Sequence, residues 1–402
     1  MTKTCVLAFS GGLDTSVCVA WLRAELGYDV VALCVDVGQG SELDGVRVRA
    51  EAAGAADLVV LDAREEFVTE FCWPALRANA LYEGRYPLVS ALSRPLIARA
   101  LVRLARDRGA VAVAHGCTGK GNDQVRFESS IAALAPDLQI IAPIRETGMQ
   151  RDQAIAYAKE HGIPVTVTAE KPYSIDENLW GRAIESGVLE DPWTSPPPKD
   201  VYEMTSNEPP DDPEDVVIGF DSGTPVTVDG DVMSPVDLVA RVHDLAGRHG
   251  VGRIDMVENR LVGIKSREVY EVPAAALLIA AHKDLEALTL ERDVARFKRS
   301  MEDRYADLVY NGLWFAPLRT ALDAFVDETQ RFVSGEVKLR LWKGSVQPIG
   351  RQSPYGLYDT SLATYGSAED SFAHDDAAGF IRLWSLPLRV WAERQGGGEK
   401  DR

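Results

Sequence analysis

The seven residues Ser10-Gly11-Gly12-Leu13-Asp14-Thr15-Ser16 carry the sharpest chemical signal in the chain. They follow the apolar run Val6 to Phe9 and precede a helical pattern that begins at Asp14 or Thr15. Two glycines let the backbone turn tightly, Ser and Asp suit the cap of a helix, and the first N–H groups with the helix dipole make an anion pocket. Phosphate or pyrophosphate is the ligand chemistry to expect there. The loop is not G-x-x-x-x-G-K-[ST], and Gly38-Gln39-Gly40 lacks the third glycine of a dinucleotide fingerprint. A second stretch, Ala114 to Glu128, is rich in glycine and offers the Thr118 hydroxyl, the Asn122 amide, the Asp123 carboxylate and the Arg126 guanidinium within nine residues. A guanidinium fork is the natural bidentate partner of a carboxylate ligand. Lys120 could steady phosphate charge. His115 and Cys117 have the types of a base and a nucleophile, but a lone histidine beside glycine reads as structural.

These residues need elements to position them. Residues 4 to 167 alternate short β-branched runs with helical patterns, as a parallel sheet with crossover helices does. The expected strands are Thr4 to Phe9, Asp29 to Val35, Asp57 to Asp62, Val111 to Ala114, Leu138 to Ala142 and Ile163 to Val167. The expected helices include Thr15 to Glu25, stopped by Gly27, and Leu96 to Arg108, opened by Pro95. In a doubly wound α/β layer ligands lie beyond the carboxyl ends of the strands, so the loops after Phe9, Val35 and Ala114 are where chemistry belongs. From about Lys171 the pattern becomes α+β. Trp193 to Asp215 holds six prolines among acidic residues and reads as a loop or arm. Strands are expected at Val216 to Phe220, Pro225 to Val228, Arg253 to Glu258 and Glu336 to Leu341, with long helices between Pro273 and Phe332. Asp375 to Gln395 is amphipathic and carries Trp384 and Trp391, a helix that docks on another subunit or on its own chain. The resulting division is 1–168, a nucleotide-binding domain; 169–365, a substrate-binding α+β domain; and 366–402, a C-terminal helix with a loose tail.

The chain has 402 residues, and 43 Lys+Arg against 61 Asp+Glu give a formal net charge of −18, which disfavours a nucleic-acid partner. Five cysteines, an odd number without any C-x-x-C pair, fit a reducing compartment. The start is too short in apolar residues for a signal peptide, and no apolar stretch nears a membrane span. A cytoplasmic protein with no membrane partner is the expectation.

Longer strings sharpen the reading. SGGLDTS resembles the pyrophosphate loop of the ATP-pyrophosphatase superfamily. The string from Ala114 to Glu128, Arg85-Tyr86-Pro87, Tyr173 to Gly181, Val257-Glu258-Asn259-Arg260 and Gly263 to Glu271 resemble the signatures of the argininosuccinate synthase family. The resemblance implies joining of citrulline to aspartate, with ATP cleaved to AMP and pyrophosphate, and Mg²⁺ carried with ATP. It implies ATP on Ala8, Phe9, Ser10, Gly11, Gly12, Leu13, Asp14, Thr15, Ser16, Val35 and Gly116. It implies citrulline on Tyr86, Ser90, Asn122, Arg126, Ser174, Glu258 and Tyr270, and aspartate on Thr118, Asn122 and Asp123. Asp14 and Asp123 are the candidate catalytic carboxylates, and no dedicated metal site is expected. A homotetramer with the C-terminal helix at an interface is also implied. Ala91 and Ala183 stand where some members have serine, so one or two substrate hydroxyl contacts would pass to Ser90 or to water. Two rivals are an AMP-forming tRNA-modifying enzyme of the same superfamily and a non-catalytic nucleotide-binding module. The acidic chain without paired cysteines disfavours the first, and the intact loop and substrate motifs disfavour the second.

Overall fold

The computed structural model describes residues 3–164, 173–366 and 370–396. Five strands, β1 (Lys3–Ala8), β2 (Tyr28–Asp36), β3 (Asp57–Asp62), β4 (Ala112–Ala114) and β5 (Gln139–Ile141), form a parallel sheet in the order β3-β2-β1-β4-β5. Val6, Leu7, Val30 and Ala32 are buried because helices cover both faces, which is why these strands read as continuous apolar runs. The chain order places β1 at the reversal point of the sheet, so the loops after β1 and β4 open side by side at one edge. The helix Leu13–Leu26 ends where Gly27 takes φ 67°, a left-handed cap closed by its N–H on the Arg23 carbonyl.

Two expectations for this half need correction. The helix expected from Leu96 starts seven residues earlier and spans Val89–Asp107, with Pro95 inside it. Proline at that point removes only the bond to the carbonyl of residue 91, and the extra turns bring Ser90 and Arg94 to the site. The capping role given to Ser10 and Asp14 also fails: Gly12 is the N-cap of a helix that begins at Leu13, and no described side chain caps it. Of the strand expected at Ile163 to Val167, only Ile163 and Pro164 are described, outside any strand; the rest lies outside the described residues.

The α+β part adds the hairpin β6 (Tyr173–Asn178) and β7 (Gly181–Ser186), then β8 (Glu214–Asp221), β9 (Thr224–Val228) and β10 (Asp231–Val232). It continues with the hairpin β11 (Arg253–Asn259) and β12 (Lys265–Glu271) and ends with β13 (Gly335–Trp342) and β14 (Ser345–Gln352). They form two antiparallel sheets, β11-β12-β7-β6 and β10-β9-β8-β13-β14. Helices Pro235–Arg248, Pro273–Thr289, Arg292–Tyr310 and Pro317–Gln330 pack around them. Residues 193–213 are coil apart from one short turn, Lys199–Val201, as the prolines dictate.

One apolar core joins this part to the parallel sheet: Val6, Leu33, Phe71 and Leu92 share a cluster with Trp180, Leu277 and Val337. The Trp180 indole is buried and donates to the Pro87 carbonyl at 3.0 Å, tying the β6–β7 turn to the start of the Val89–Asp107 helix. Contacts divide the chain into the compact units Met1–Tyr355 and Gly356–Arg402. Within the second unit, the amphipathic segment is two helices, His374–Trp384 and Leu386–Arg394, not one. Pro387 in the first turn of the second has no N–H and would clash with the carbonyl four residues back, so the helix breaks at Ser385. Phe380, Leu383, Trp384, Leu388 and Trp391 are exposed in this unit. Among the described residues, no helix is long and apolar enough to cross a membrane.

Candidate active site

The loop after β1 supplies one end of a cleft of about 620 Å³, a volume typical of small-molecule sites. Gly11 has φ 79°, a conformation only glycine adopts without strain, and a Cβ there would fall 2.7 Å from Arg49 Nε. The Ser10 hydroxyl accepts the Gly12 N–H at 3.3 Å, and Thr15 donates to the Gly12 carbonyl at 3.2 Å. The turn is thus held by its own side chains while the first turn of the helix is left uncapped, the arrangement an anion needs. Asp14 projects from that first turn; burial raises its carboxyl above the ordinary value, against the pull of Arg151. Apolar residues Phe9, Leu33, Val35 and Val37 line the adjoining wall. Gln39 fixes the turn there: its amide donates to the Val35 carbonyl at 2.8 Å and accepts the Val37 N–H at 2.8 Å.

The other end is built by the antiparallel sheet β11-β12-β7-β6. Side chains two apart on a strand share a face, so Glu258 on β11 with Arg260 just beyond its end, Glu268 and Tyr270 on β12, Ala183 and Glu185 on β7, and Ser174 and Asp176 on β6 all reach the same cleft. Register places Tyr270 opposite Ala183, and Ala183 opposite Asp176. Tyr86 stacks on Tyr270 with ring centroids 4.1 Å apart, and its hydroxyl accepts the Ser90 N–H at 3.0 Å.

Charged side chains knit the two ends together. Asp123 accepts from Arg94 Nε at 2.8 Å and from Arg126 Nη1 at 2.9 Å; Arg94 also reaches Asp176 at 2.8 Å. Burial alone would raise the Asp123 carboxyl, but the two guanidinium groups outweigh it and hold it below the usual range. Arg126 is buried, donates through Nε to the Tyr310 carbonyl at 2.9 Å and lies 4.8 Å from the centre of the Tyr310 ring. Asn122 donates to the Tyr310 hydroxyl at 2.8 Å and accepts the Leu261 N–H at 2.9 Å. Burial and the charge of Glu268 push Glu258 up to about 7, against hydrogen bonds from Tyr270 and Tyr310 and the charge of Arg126.

Most of the expected site residues meet in this one cleft: Ala8, Phe9, Ser10, Gly11, Gly12, Asp14, Thr15, Val35, Gly116, Tyr86, Ser90, Asn122, Asp123, Arg126, Ser174, Glu258 and Tyr270 all line it. Leu13 and Thr118 line an adjacent cleft with Lys120, Arg145 and Arg151, and Asp14 and Ser174 border both. Ser16 is buried in the helix, its N–H on the Gly12 carbonyl at 3.0 Å. His115 and Cys117 are not a base and nucleophile: His115 Nε2 meets Glu128 at 3.2 Å, Nδ1 faces the Cys117 N–H, and burial pushes the Cys117 thiol up. Arg94, Glu268, Arg260 and Tyr310 went unassigned in the sequence. The i, i+2 spacing of Glu268 with Tyr270 and of Arg260 with Glu258 was the available signal.

Two family models match the chain, described as Arginosuccinate synthase N-terminal HUP domain, over residues 4–164, and Arginosuccinate synthase C-terminal domain, over residues 173–391. The argininosuccinate synthase of Oceanobacillus iheyensis is 56% identical over 399 residues, covering 98% of this chain and 95% of the relative. That of Thermosynechococcus vestitus is 57% identical over 396 residues, covering 97% and 98%. That of Geobacillus kaustophilus is 58% identical over 387 residues, covering 96% and 95%.

Proposed function

The chain belongs to the argininosuccinate synthase family, and from that premise we propose that its cleft joins citrulline to aspartate while ATP is cleaved to AMP and pyrophosphate. The observation that carries this is the composition of one cleft: an uncapped glycine turn at one end, and Arg126, Glu258, Tyr86 and Tyr270 at the other. The first suits a polyphosphate; the second suits a zwitterionic amino acid with a polar tail. The ureido oxygen of citrulline attacks the α-phosphorus of ATP, and pyrophosphate leaves, giving citrullyl-AMP. The α-amine of aspartate then attacks the ureido carbon, AMP leaves, and the amine proton passes to solvent. Asp123, ionised between two arginines, suits the ammonium form of aspartate better than it suits taking up a proton. Catalysis on this reading is positioning and electrostatics without a covalent enzyme intermediate.

Mg²⁺ carried with ATP would offset phosphate charge. Asp123 is committed to Arg94 and Arg126, which leaves Asp14 as the carboxylate of the phosphate loop able to meet the ion, with phosphate and water oxygens supplying the rest. Supporting a reducing, cytoplasmic setting, Cys5, Cys18, Cys72 and Cys117 are free thiols, the first three of them buried. The exposed apolar residues of the C-terminal helices support a homotetramer with this segment at an interface. We retain 1–168, 169–365 and 366–402 as its functional divisions.

The deciding experiment is AMP release from MgATP with citrulline plus aspartate and with each amino acid left out. Release that requires both is expected; release that ignores them, or none, would defeat the substrate assignment. Sedimentation of the chain with and without residues 366–402 tests assembly: the full chain should sediment as a tetramer and the shortened one as smaller species. Identical sedimentation would refute the role of the helices.

A further inference from the structure

The hydrogen bonds around Tyr270 contain one acceptor too many. Its hydroxyl lies 2.6 Å from Glu258 Oε2 and 2.7 Å from Glu268 Oε2, all three groups being buried. A phenol brings one proton and two ionised carboxylates bring none, so two such short contacts call for a second proton on one carboxyl. The neighbouring protons are already placed. The Leu261 N–H fixes the orientation of the Asn122 amide, whose Nδ2 donates to Tyr310, so the Tyr310 proton goes to Glu258 Oε1. Arg260 Nη2 donates to Glu268 Oε1 at 2.8 Å and the Ser266 hydroxyl at 3.0 Å, which favours Glu268 as the ionised partner. The two oxygens of Glu258 meet the phenols of Tyr270 and Tyr310 instead.

We propose that Glu268, acting through the Tyr270 hydroxyl, keeps Glu258 protonated in the free cleft, and that the α-ammonium of citrulline displaces that proton to solvent on binding. The proposal rests on the citrulline reading above and adds its proton balance: Glu258–COOH and R–NH₃⁺ give the pair Glu258–COO⁻ with R–NH₃⁺ and one H⁺ in solution. Glu268 is then a positioning residue for the charge state of a ligand group.

The charged and titratable groups around Glu258 come from every side. Glu268 and Tyr270 lie on β12, Arg260 just past the end of β11, Arg126 on the Asp123–Leu134 helix, Tyr310 at the end of the Arg292–Tyr310 helix, and Tyr86 against Tyr270. Glu185 on β7 enters through Arg260, 2.5 Å away, and is itself pushed up to about 7 by burial and by Glu268. Burial and Glu268 together raise Glu258 to the same range against Tyr270, Tyr310 and Arg126. Citrulline affinity should therefore weaken by about tenfold for each pH unit below about 7 and level off above it.

The test is calorimetry of citrulline binding to the full chain, at about pH 6 and pH 8.5, in buffers of different ionisation enthalpy. About one proton should be released at the lower pH and close to none at the higher. In E268Q the side-chain amide can donate to the Tyr270 oxygen and carries no charge, so release at the lower pH should fall by at least half and the affinity profile should shift to lower pH. Binding of citrulline without any buffer dependence overturns the proposal and leaves the substrate reading standing. Unchanged release in E268Q, or its loss in E185Q alone, also overturns it. Failure of the wild-type chain to bind citrulline at any pH overturns the substrate reading and the proposal together. Should E268Q not fold, infrared spectroscopy of the wild-type chain decides: a protonated-carboxyl band present near neutral pH should vanish on adding citrulline, and its persistence overturns the proposal.

Discussion

Replacing Asp14 with alanine is expected to lower AMP formation by about 10²–10³-fold, the loss usual when one preorganised electrostatic group leaves a site. The melting temperature should hardly move. Asp14 stands in the first turn of the Leu13–Leu26 helix and borders the cleft, while the core face of that helix is made by Val17, Cys18, Val19 and Leu22. The cost to folding is confined to a favourable carboxylate at a helix N-terminus, about 0.3–1 kcal/mol. The turn itself is held by Ser10, Gly12 and Thr15, which the substitution leaves in place. D14N keeps the shape and removes the charge, so an equal loss in D14N would assign the effect to charge. Single-turnover formation of AMP, compared with thermal unfolding of the same samples, provides the check. Wild-type turnover in a folded D14A protein would remove Asp14 from the phosphate site.

Arg126→Lys is expected to reduce kcat/KM for citrulline by about 10²-fold or more, a loss of roughly 3 kcal/mol, mostly through KM. Arg126 makes three contacts at once: to Asp123, to the Tyr310 carbonyl and over the Tyr310 ring. A lysine is a point charge on a flexible stem and cannot serve the fork of directions that the guanidinium spans. Asp123 would lose one of its two arginines, so the aspartate KM should rise as well, though by less, because Arg94 stays. Steady-state kinetics with each amino acid varied in turn would show this, and an unchanged citrulline KM would count against Arg126 as a ligand.

The parallel sheet was legible because burial on both faces leaves its strands apolar from end to end, as Val30 to Val35 shows. The glycine turn was legible for a different reason: Ser10-Gly11-Gly12 is chemically costly anywhere but at a tight turn. β6, β7, β10, β12 and β14 were not expected as strands. In β6 and β12 polar side chains such as Ser174, Asp176 and Glu268 line the cleft, which removes the apolar alternation by which a strand is recognised. Pro95 misled in the same way, since a rule about helix starts gave way to packing of the Val89–Asp107 helix beneath the site. The arginine Arg94 went unnoticed because its partners, Asp123 and Asp176, are 29 and 82 residues away in the chain. Only the fold brings them within reach.

The apolar cluster that runs from Val6 and Phe71 to Trp180, Leu277 and Val337 has a further consequence for how the protein can be taken apart. The two family models meet at a seam between residues 164 and 173, which invites treating each side as a module to be expressed, exchanged or evolved alone. Neither side owns a complete interior. A fragment ending at the seam would present Phe71, Leu76 and Leu92 to water, and the complementary fragment would present Trp180 and Leu277. The phosphate half and the amino-acid half are therefore bound to a common fate, and a chimera that respects the seam but not the shared interior would aggregate before its chemistry could be measured.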